Sequence, residues 1–185
     1  MLELNFHPFP TFDTERLTLR RVTMVHSQDM FNLRADINAM RYLDRPIAET
    51  LDDAEDLIKR MDNDIDNNTG IGWGIFLKNT NRLIGTIGYY RMKKENYRAE
   101  IGYMLLPDFW KQGIMSEAMK PIINFGFNEM KLHSIEADIN PNNEASAAIL
   151  KKHGFVQEAY FKENVYSNGQ FLDTEIYSLL INSNK

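Results

Sequence analysis

The sequence predicts an α/β domain with a mixed, mostly antiparallel sheet of about seven strands and helices on both faces. Three observations support this prediction. The 185 residues are 43% hydrophobic and 25% charged, as in one soluble globular domain. Segments of alternating polarity recur, and segments of helical periodicity separate some of them. The resulting order, β-α-α-β-β-β-α-β-α-β-β, places a βαβ unit after antiparallel strands. We expect one domain over residues 1–185, with its core at about 15–181.

The first half of the chain supplies an outer strand, two helices and a hairpin. The first strand alternates leucine with polar residues, and the second helix has a stripe of apolar residues that begins after a capping Thr50 or Asp52. Polar residues at 79–82 form the hairpin turn. The segments, in order, are Glu15–Val22 (strand), His26–Ala35 and Thr50–Ile65 (helices), and Gly72–Lys78 and Leu83–Met92 (strands).

The second half begins with a strand from Ala99 whose apolar face carries Ile101, Tyr103 and Leu105. Pro107 lacks an N–H group, so it ends this strand or splays it from its neighbour. A helix follows Gly113, and Pro121 within it is expected to produce a kink. The remaining predicted segments are a strand Ser134–Ile139, a helix Asn143–His153 ended by Gly154, and a hairpin of Phe155–Phe161 and Phe171–Ile181 that turns at residues 167–169.

The composition excludes several classes of protein. There are no cysteines, so disulfides, a cysteine nucleophile and Cys-type zinc sites are excluded, and the four histidines lack the spacing of metal ligands. No apolar stretch approaches the roughly 20 residues that a membrane-spanning helix needs. A net charge of −5 disfavours a nucleic-acid partner and is compatible with a cationic substrate. We expect a cytoplasmic protein with no metal, membrane or nucleic-acid partner.

The connection around Gly113 has the features of an anion site. A strand, a glycine-containing turn and a new helix follow one another, and the first N–H groups of a helix have no partner within it. The helix dipole favours negative charge at the same place. Gly113 allows a ligand to approach the backbone without an intervening side chain. Many α/β proteins have such a turn, so an ordinary strand-to-helix connection remains an alternative.

Three separated motifs together resemble the GNAT family of N-acetyltransferases. They are the stretch Ile101–Ala118, the N-x-x-S sequence of Asn143–Ser146, and the segment Lys152–Phe155. More narrowly, they resemble the branch of ribosomal-protein N-terminal acetyltransferases (RimJ/RimL-like), and the resemblance covers about Glu15 to Leu180. It implies the GNAT fold, with the sheet splayed between the fourth and fifth predicted strands, and acetyl-CoA as co-substrate.

The resemblance also implies which residues bind the donor. The pantetheine arm would lie against the backbone of Met104, Leu105 and Leu106, and Asn143 would contact it or cap the following helix. The pyrophosphate loop falls on Trp110 to Met115, where only Gly113 matches the family pattern strictly and Lys111 and Met115 replace small residues. Its implied donor-binding residues are Lys111, Gln112, Gly113, Ile114, Met115 and Ser116.

Two residues are implied as catalytic. Glu100 would accept the proton of the amine, directly or through a water molecule, and its alternative is an ion pair with Arg98 or Arg91. Asp138 is a second candidate carboxylate. Ser146 would protonate the leaving thiolate, because Leu150 stands where many family members have a tyrosine. An ordinary surface serine is the alternative for Ser146.

The function that follows is acetyl transfer by direct attack on acetyl-CoA, with a protein or peptide N-terminal amine as acceptor. A small amine, such as a polyamine, an amino acid or an aminoglycoside, is an alternative acceptor. A non-catalytic acyl-CoA-binding module is a second alternative. A homodimer with the terminal hairpin as its contact is left open.

Overall fold

A single sheet of eight strands organises the molecule. The computed structural model describes residues 1–43, 45–78, 80–167 and 169–181. The strands are β1 (Phe12–Asp13), β2 (Leu17–Arg20), β3 (Ile71–Leu77), β4 (Leu83–Lys93), β5 (Arg98–Leu105), β6 (Ser134–Ile139), β7 (Val156–Ser167) and β8 (Gln170–Leu180). Their spatial order is β1-β2-β3-β4-β5-β6-β8-β7, and only β5 and β6 are parallel. The predicted mixed sheet is confirmed, and the strand added to the expected seven is the two-residue β1.

The helices pack on both faces of this sheet, as predicted. They are α1 (Ser27–Ala35), α2 (Ile37–Met40), α3 (Leu51–Asp66), α4 (Ile114–Asn128) and α5 (Glu144–Lys152). Thr50 caps α3: its Oγ1 accepts the N–H of Asp53 at 3.3 Å, and the Asp53 carboxylate accepts the N–H of Thr50 at 2.9 Å. Among the described residues, no helix combines the length and apolar character that crossing a bilayer requires.

The two faces of the sheet bury separate hydrophobic cores. One core lies between the sheet and α4 and includes the three strand residues that the alternation of β5 assigned to an apolar face, namely Ile101, Leu105 and the partly buried Tyr103. The other core lies between the sheet and α1 and α3, and it includes Met104 and Leu106. Because successive strand residues point to opposite faces, β5 contributes to both cores. The segment from β5 to α4 is therefore fixed from both sides.

The sheet opens between β5 and β6. These strands pair only at Arg98 with Ser134, Ala99 with Ile135 and Glu100 with Glu136. Beyond Glu100, β5 continues to Leu105 without pairing to β6. On its other side β5 stays paired with β4 as far as Leu105. The predicted splay between these two strands is therefore confirmed, and it begins directly after Glu100.

Helix α4 continues past Pro121 to Asn128, as expected for a proline within the helix. One strand departs from its predicted bounds. Strand β7 reaches Ser167, beyond the predicted Phe161, because irregularities in its pairing with β8 let the ladder continue after them. The terminal hairpin exposes Tyr166 and Phe171, whose ring centroids lie 5.0 Å apart. Asn79 and Asn168, which belong to the two predicted turns, lie outside the described residues.

Candidate active site

A cleft of about 390 Å³ occupies the opening between β5 and β6. One wall comes from α1, α3 and the loop between α2 and α3, and the opposite wall comes from the start of α5. The polar and charged residues that line the cleft are Arg34, Tyr42, Arg45, Arg60, Asp64, Thr86, Tyr90, Glu100, Tyr103, Asp138, Asn140, Asn143 and Ser146. The splay therefore brings the predicted residues Glu100, Asn143 and Ser146 into one cavity.

Glu100 stands where the pairing of β5 with β6 ends. Its side chain is 15% exposed, and its Oε2 accepts a hydrogen bond from Nη1 of Arg91 at 2.9 Å. Burial raises the pKa of Glu100 above its ordinary value, although the Arg91 charge acts in the opposite direction. The expected ion pair with Arg91 is thus present, whereas Arg98 pairs with Glu136 at 2.8 Å. Although Glu100 is paired with Arg91, its side chain still lines the cleft.

Asp138 faces the same end of the cleft from β6. One of its carboxylate oxygens lies 3.6 Å from the Arg91 nitrogen that binds Glu100. The charge of Asp138 contributes to the raised pKa of Glu100, after burial. The carboxylates of Glu100 and Asp138 therefore both approach the Arg91 guanidinium where β5 and β6 separate. A buried carboxyl beside a second one is a common arrangement for proton transfer.

Asn143 and Ser146 begin α5 on the other wall. The Asn143 side chain caps the helix, because its Oδ1 accepts the N–H of Ser146 at 3.1 Å. The Ser146 side chain is buried, and its Oγ lies 2.6 Å from the hydroxyl oxygen of Tyr103 on β5. Burial raises the pKa of Tyr103 to about 12. Leu150, at the register where many family members carry a tyrosine, is fully buried in the core.

Tyr103 is a residue whose role the sequence did not reveal. The alternation of β5 correctly assigns Tyr103 to the apolar face, but a strand pattern carries no information about which helix residue its hydroxyl meets. The contact depends on the entry angle of α5, which tertiary packing determines. The N-x-x-S motif alone indicates Ser146 and gives no sign of its partner.

The backbone amides at the start of α4 are available for a ligand. Glu117 is the first residue whose N–H bonds within the helix, to the Gly113 carbonyl at 2.9 Å. In the part of the chain that the structure describes, the N–H groups of residues 111–116 have no acceptor. Gly113 has a φ of 75° and Lys111 one of 58°. Both residues lie in the left-handed region, which turns consecutive amides toward one side.

The side chains of this turn point away from the amides. Ile114 and Met115 are buried in the core on the α4 face, so the unusual methionine leaves the backbone accessible. The Oγ of Ser116 lies 2.9 Å from Nε2 of His153 on α5. Lys111 and Gln112 are exposed. Of the predicted donor-binding residues, Ile114, Met115 and Ser116 can therefore contribute their amides, and Lys111 can also contribute its side chain. The Gln112 side chain already donates to the Asp108 carbonyl at 2.7 Å.

Two charged residues hold the turn in place. Glu117 accepts hydrogen bonds from the Thr14 hydroxyl at 2.6 Å and from the Arg16 guanidinium at 2.7 Å. Another nitrogen of Arg16 donates to the Gln112 carbonyl at 2.9 Å. The start of β2 is thereby tied to both the turn and the first turn of α4. This arrangement immobilises the amides before any ligand arrives.

The backbone of β5 corrects one detail of the predicted pantetheine contact. The N–H of Leu106 donates to the Ile84 carbonyl of β4 at 2.9 Å. It is therefore not available to a ligand in the slit, the gap between β5 and β6 beyond Glu100. Because backbone groups alternate sides in an antiparallel pair, those of Met104 also point to β4, and those of Leu105 and Tyr103 point to the slit. The Leu105 carbonyl already accepts the indole N–H of Trp110 at 2.8 Å. The N–H of Leu105 remains for a ligand.

No cluster of side chains in the described residues has the composition of a metal site. The described part of the chain leaves no buried side-chain donor or acceptor without a partner. The polar groups that can act on a ligand are therefore those on the cleft wall and the amides of the turn. This distribution is suited to a reaction carried by positioned acids, bases and backbone donors.

Comparisons with known proteins agree with this geometry. The family profile described as an acetyltransferase (GNAT) domain matches residues 16–156. The uncharacterized N-acetyltransferase YoaA of Bacillus subtilis is 34% identical over 93% of this chain and 97% of its own length. The ribosomal-protein-serine acetyltransferase of Escherichia coli is 30% identical over 55% of this chain and 56% of its own. The structure of RimL, a ribosomal alpha-N-protein acetyltransferase in complex with coenzyme A, superimposes with a TM-score of 0.85 at 21% identity, covering 95% of this chain and 100% of that one.

Proposed function

The chain belongs to the GNAT family of acetyltransferases and is an N-acetyltransferase with acetyl-CoA as donor, and we propose that its acceptor is the N-terminal amine of a cytoplasmic protein or peptide. The observation that carries the proposal is the position of Glu100 on the cleft wall, directly where β5 separates from β6. A base at this point meets an amine that enters from the α1 and α3 side and a thioester that lies in the slit.

The donor occupies the slit and the turn. The unpaired edge of β5 offers the Leu105 N–H to the pantetheine arm, and the amides of residues 111–116 receive the diphosphate. Gly113 carries no side chain that would cover these amides. Lys111, which is exposed beside the turn, adds a positive charge for a phosphate. The residues present therefore fit the donor without any rearrangement of the backbone.

Glu100 accepts the proton that the amine must lose. The raised pKa of Glu100 brings its basicity closer to that of a group that exchanges protons near neutral pH. Arg91 keeps the carboxylate oriented through its 2.9 Å hydrogen bond. A water molecule can carry the proton between the amine and Glu100 where the two do not touch directly.

Ser146 supplies a proton at the opposite side of the cleft. The amine nitrogen forms a bond to the thioester carbonyl carbon, and the carbonyl oxygen, now negative, takes a hydrogen bond from the backbone N–H of Tyr103, which also points to the slit. The electron pair returns, the carbon–sulfur bond breaks, and the thiolate receives a proton from Ser146, which regains one from solvent. Glu100 releases to solvent the proton that it took from the amine, so the products are an amide and free coenzyme A. No acyl-enzyme is required, since the chain has no cysteine.

Release of thiol from acetyl-CoA in the presence of defined amines tests the proposal. We expect turnover with short peptides that have a free N-terminus, and a decrease of kcat of about 10² to 10³ in Glu100→Gln. Glu95→Gln is the matched control, because Glu95 is an exposed residue of the turn before β5. Turnover that prefers spermidine over every peptide would refute the proposed acceptor. Binding of acetyl-CoA without turnover of any amine would indicate a non-catalytic module.

A further inference from the structure

Three arginines line the part of the cleft where the acceptor amine would bind, and they form its positive end. Arg34 in the last turn of α1, Arg45 in the loop before α3 and Arg60 in α3 all line the cavity that contains Glu100. The charges of Arg45, Asp64, Arg34 and Glu100 all act on the hydroxyl of Tyr90, which lines the same cavity. The cleft therefore has two carboxylates at the splay, and three guanidinium groups and the Asp64 carboxylate elsewhere on its wall.

These three guanidinium groups line the cleft without a carboxylate partner. Within the described residues, none of the three has a carboxylate oxygen within 4.0 Å. Among the described residues, Arg20, Arg41 and Arg82 also lack a carboxylate partner, but they do not line the cleft. Arg34 donates to the Pro46 carbonyl at 3.1 Å. The arginines that do pair with a carboxylate at 2.7 to 2.9 Å are Arg16, Arg21, Arg91 and Arg98.

The carboxylates nearest to the positive end have other partners. Asp53 accepts the N–H groups of Glu49 and Thr50 as part of the α3 cap. Asp56 pairs with Lys59 at 2.9 Å, and both Asp53 and Asp56 line a separate cavity of about 220 Å³ behind Arg34 and Arg60. Asp64 accepts the Thr69 hydroxyl at 3.1 Å. None of these interactions neutralises a guanidinium at the cleft.

The like charges act on one another. Burial, and then the charges of Arg45 and Arg60, lower the pKa of Arg34 below its ordinary value. Because an arginine side chain stays protonated in proteins, this repulsion is not relieved by loss of a proton. An anion between the guanidinium groups would relieve it, and carboxylates bind guanidinium groups through paired hydrogen bonds. The site has both the charge and the geometry to favour such a ligand.

We propose that the acceptor is an acidic peptide, with its N-terminal amine at Glu100 and a carboxylate of one of its first side chains at Arg34, Arg45 and Arg60. This inference depends on the proposed function and specifies its substrate class. Both carboxylates and guanidinium groups line the cleft, so it can orient a substrate that carries both charges. A polyamine would bring a cation to the arginines and is therefore disfavoured.

Matched peptides test this inference. The substrates are Ser-Glu-Glu-amide and Ser-Gln-Gln-amide, with free glutamate and spermidine as small-molecule acceptors. The variants are Arg60→Gln and Arg45→Gln, both at exposed positions, and Lys131→Gln as the control, an exposed cation after α4 that does not line the cleft. We expect kcat/KM to be at least about tenfold higher for the acidic peptide, and this preference to shrink in the two arginine variants and persist in Lys131→Gln.

A binding measurement keeps the test independent of turnover. Calorimetry with acetyl-Ser-Glu-Glu-amide and acetyl-Ser-Gln-Gln-amide should show tighter binding of the acidic peptide to the wild type and a smaller difference in Arg60→Gln. Equal values for the two peptides, or a preference that survives in both arginine variants, would overturn the inference. Better turnover of free glutamate than of either peptide would also overturn it, because the anion would then come from a small molecule. If the acetylated peptides bind as expected but no amine is acetylated, the proposed function fails and the acidic-peptide site stands.

Discussion

The hydroxyl oxygen of Tyr103 lies 2.6 Å from the Oγ of Ser146, so β5 and α5 meet through two hydroxyl groups at the cleft. Because burial raises the pKa of Tyr103 to about 12, its phenol is protonated at neutral pH. When Tyr103 donates its hydrogen to Ser146, the serine hydrogen is left to point into the cleft. In the mechanism that we propose, Tyr103 would thereby orient the proton that the leaving group receives.

Tyr103→Phe should lower kcat about fivefold, because one hydrogen bond of about 1 kcal/mol is lost, and leave the KM for acetyl-CoA unchanged. Steady-state kinetics of acetyl transfer measures both constants. Ser146→Ala should lower kcat further. The double variant should be no slower than Ser146→Ala alone, because Tyr103 acts through the serine. Additive losses in the double variant would show that the two hydroxyl groups act separately.

Arg91→Gln should move the acidic limb of the pH–rate profile to higher pH. Glu100 must be a carboxylate to accept a proton, so activity falls as pH decreases through its pKa. Burial raises this pKa, while Arg91 lowers it through its charge and hydrogen bond. Without Arg91 the pKa rises further, and more alkaline conditions are needed to ionise the group. The profile of kcat/KM measures the shift.

The control for this shift is Lys94→Gln, which removes a partly exposed cation from the turn after β4 and should leave the profile unchanged. Glu100→Gln should abolish the acidic limb. An acidic limb that persists in Glu100→Gln would assign the proton to another group, with Asp138 as the first to examine.

Gly113→Val and Gly113→Asn separate two effects of a side chain at the turn. A Cβ at residue 113 would meet only the Arg16 guanidinium, at 3.6 Å, so the protein itself has space for it. The φ of 75° costs valine about 1–2 kcal/mol of stability, whereas asparagine tolerates this region better. Both variants should lose affinity for coenzyme A, because their Cβ covers the amides. Calorimetry and thermal unfolding check this, and normal affinity in Gly113→Asn would place the diphosphate elsewhere.

Glu117→Gln should lower the free energy of unfolding by about 1 kcal/mol at pH 7. Burial opposes ionisation of Glu117, but the hydrogen bonds from Thr14 and Arg16 outweigh it and lower its pKa. A carboxylate with a lowered pKa stabilises the fold above its unfolded pKa, near 4.5, and loses that effect as pH falls through the folded pKa. Urea unfolding at pH 7 and pH 3 should therefore show a difference that disappears in acid. Glu129→Gln, in the exposed region after α4, is the control.

Much of the fold is predictable from local patterns. The alternation in Leu17 and Leu19, the apolar stripe of α3 and the proline after β5 each determine one element with little help from the rest of the chain. Pro107 predicts the end of β5, whereas the splay, which begins directly after Glu100, is implied by the family resemblance. The two-residue β1 has no pattern of its own and exists only because β2 pairs with it.

The residues of the site can be predicted from the sequence only where they belong to a motif. Glu100 and Ser146 follow from the family resemblance, whereas the Tyr103 contact and the positive end of the cleft come from residues that are distant in sequence. Arg34, Arg45 and Arg60 belong to three separate segments, and none has a spacing that indicates the others. The loss of the Leu106 amide to β4 depends on the register of a strand pair, which a single sequence does not reveal.

The ladder that joins the two halves of the sheet stops at Glu100, so the empty protein contains a seam that its own backbone does not close. A donor lying in this seam adds cross-links that the polypeptide lacks. By mass action, a donor that binds only the folded state lowers the unfolded fraction, and this effect grows with the ratio of donor concentration to Kd. The supply of acetyl-CoA would then govern both the rate of the reaction and the lifetime of the catalyst.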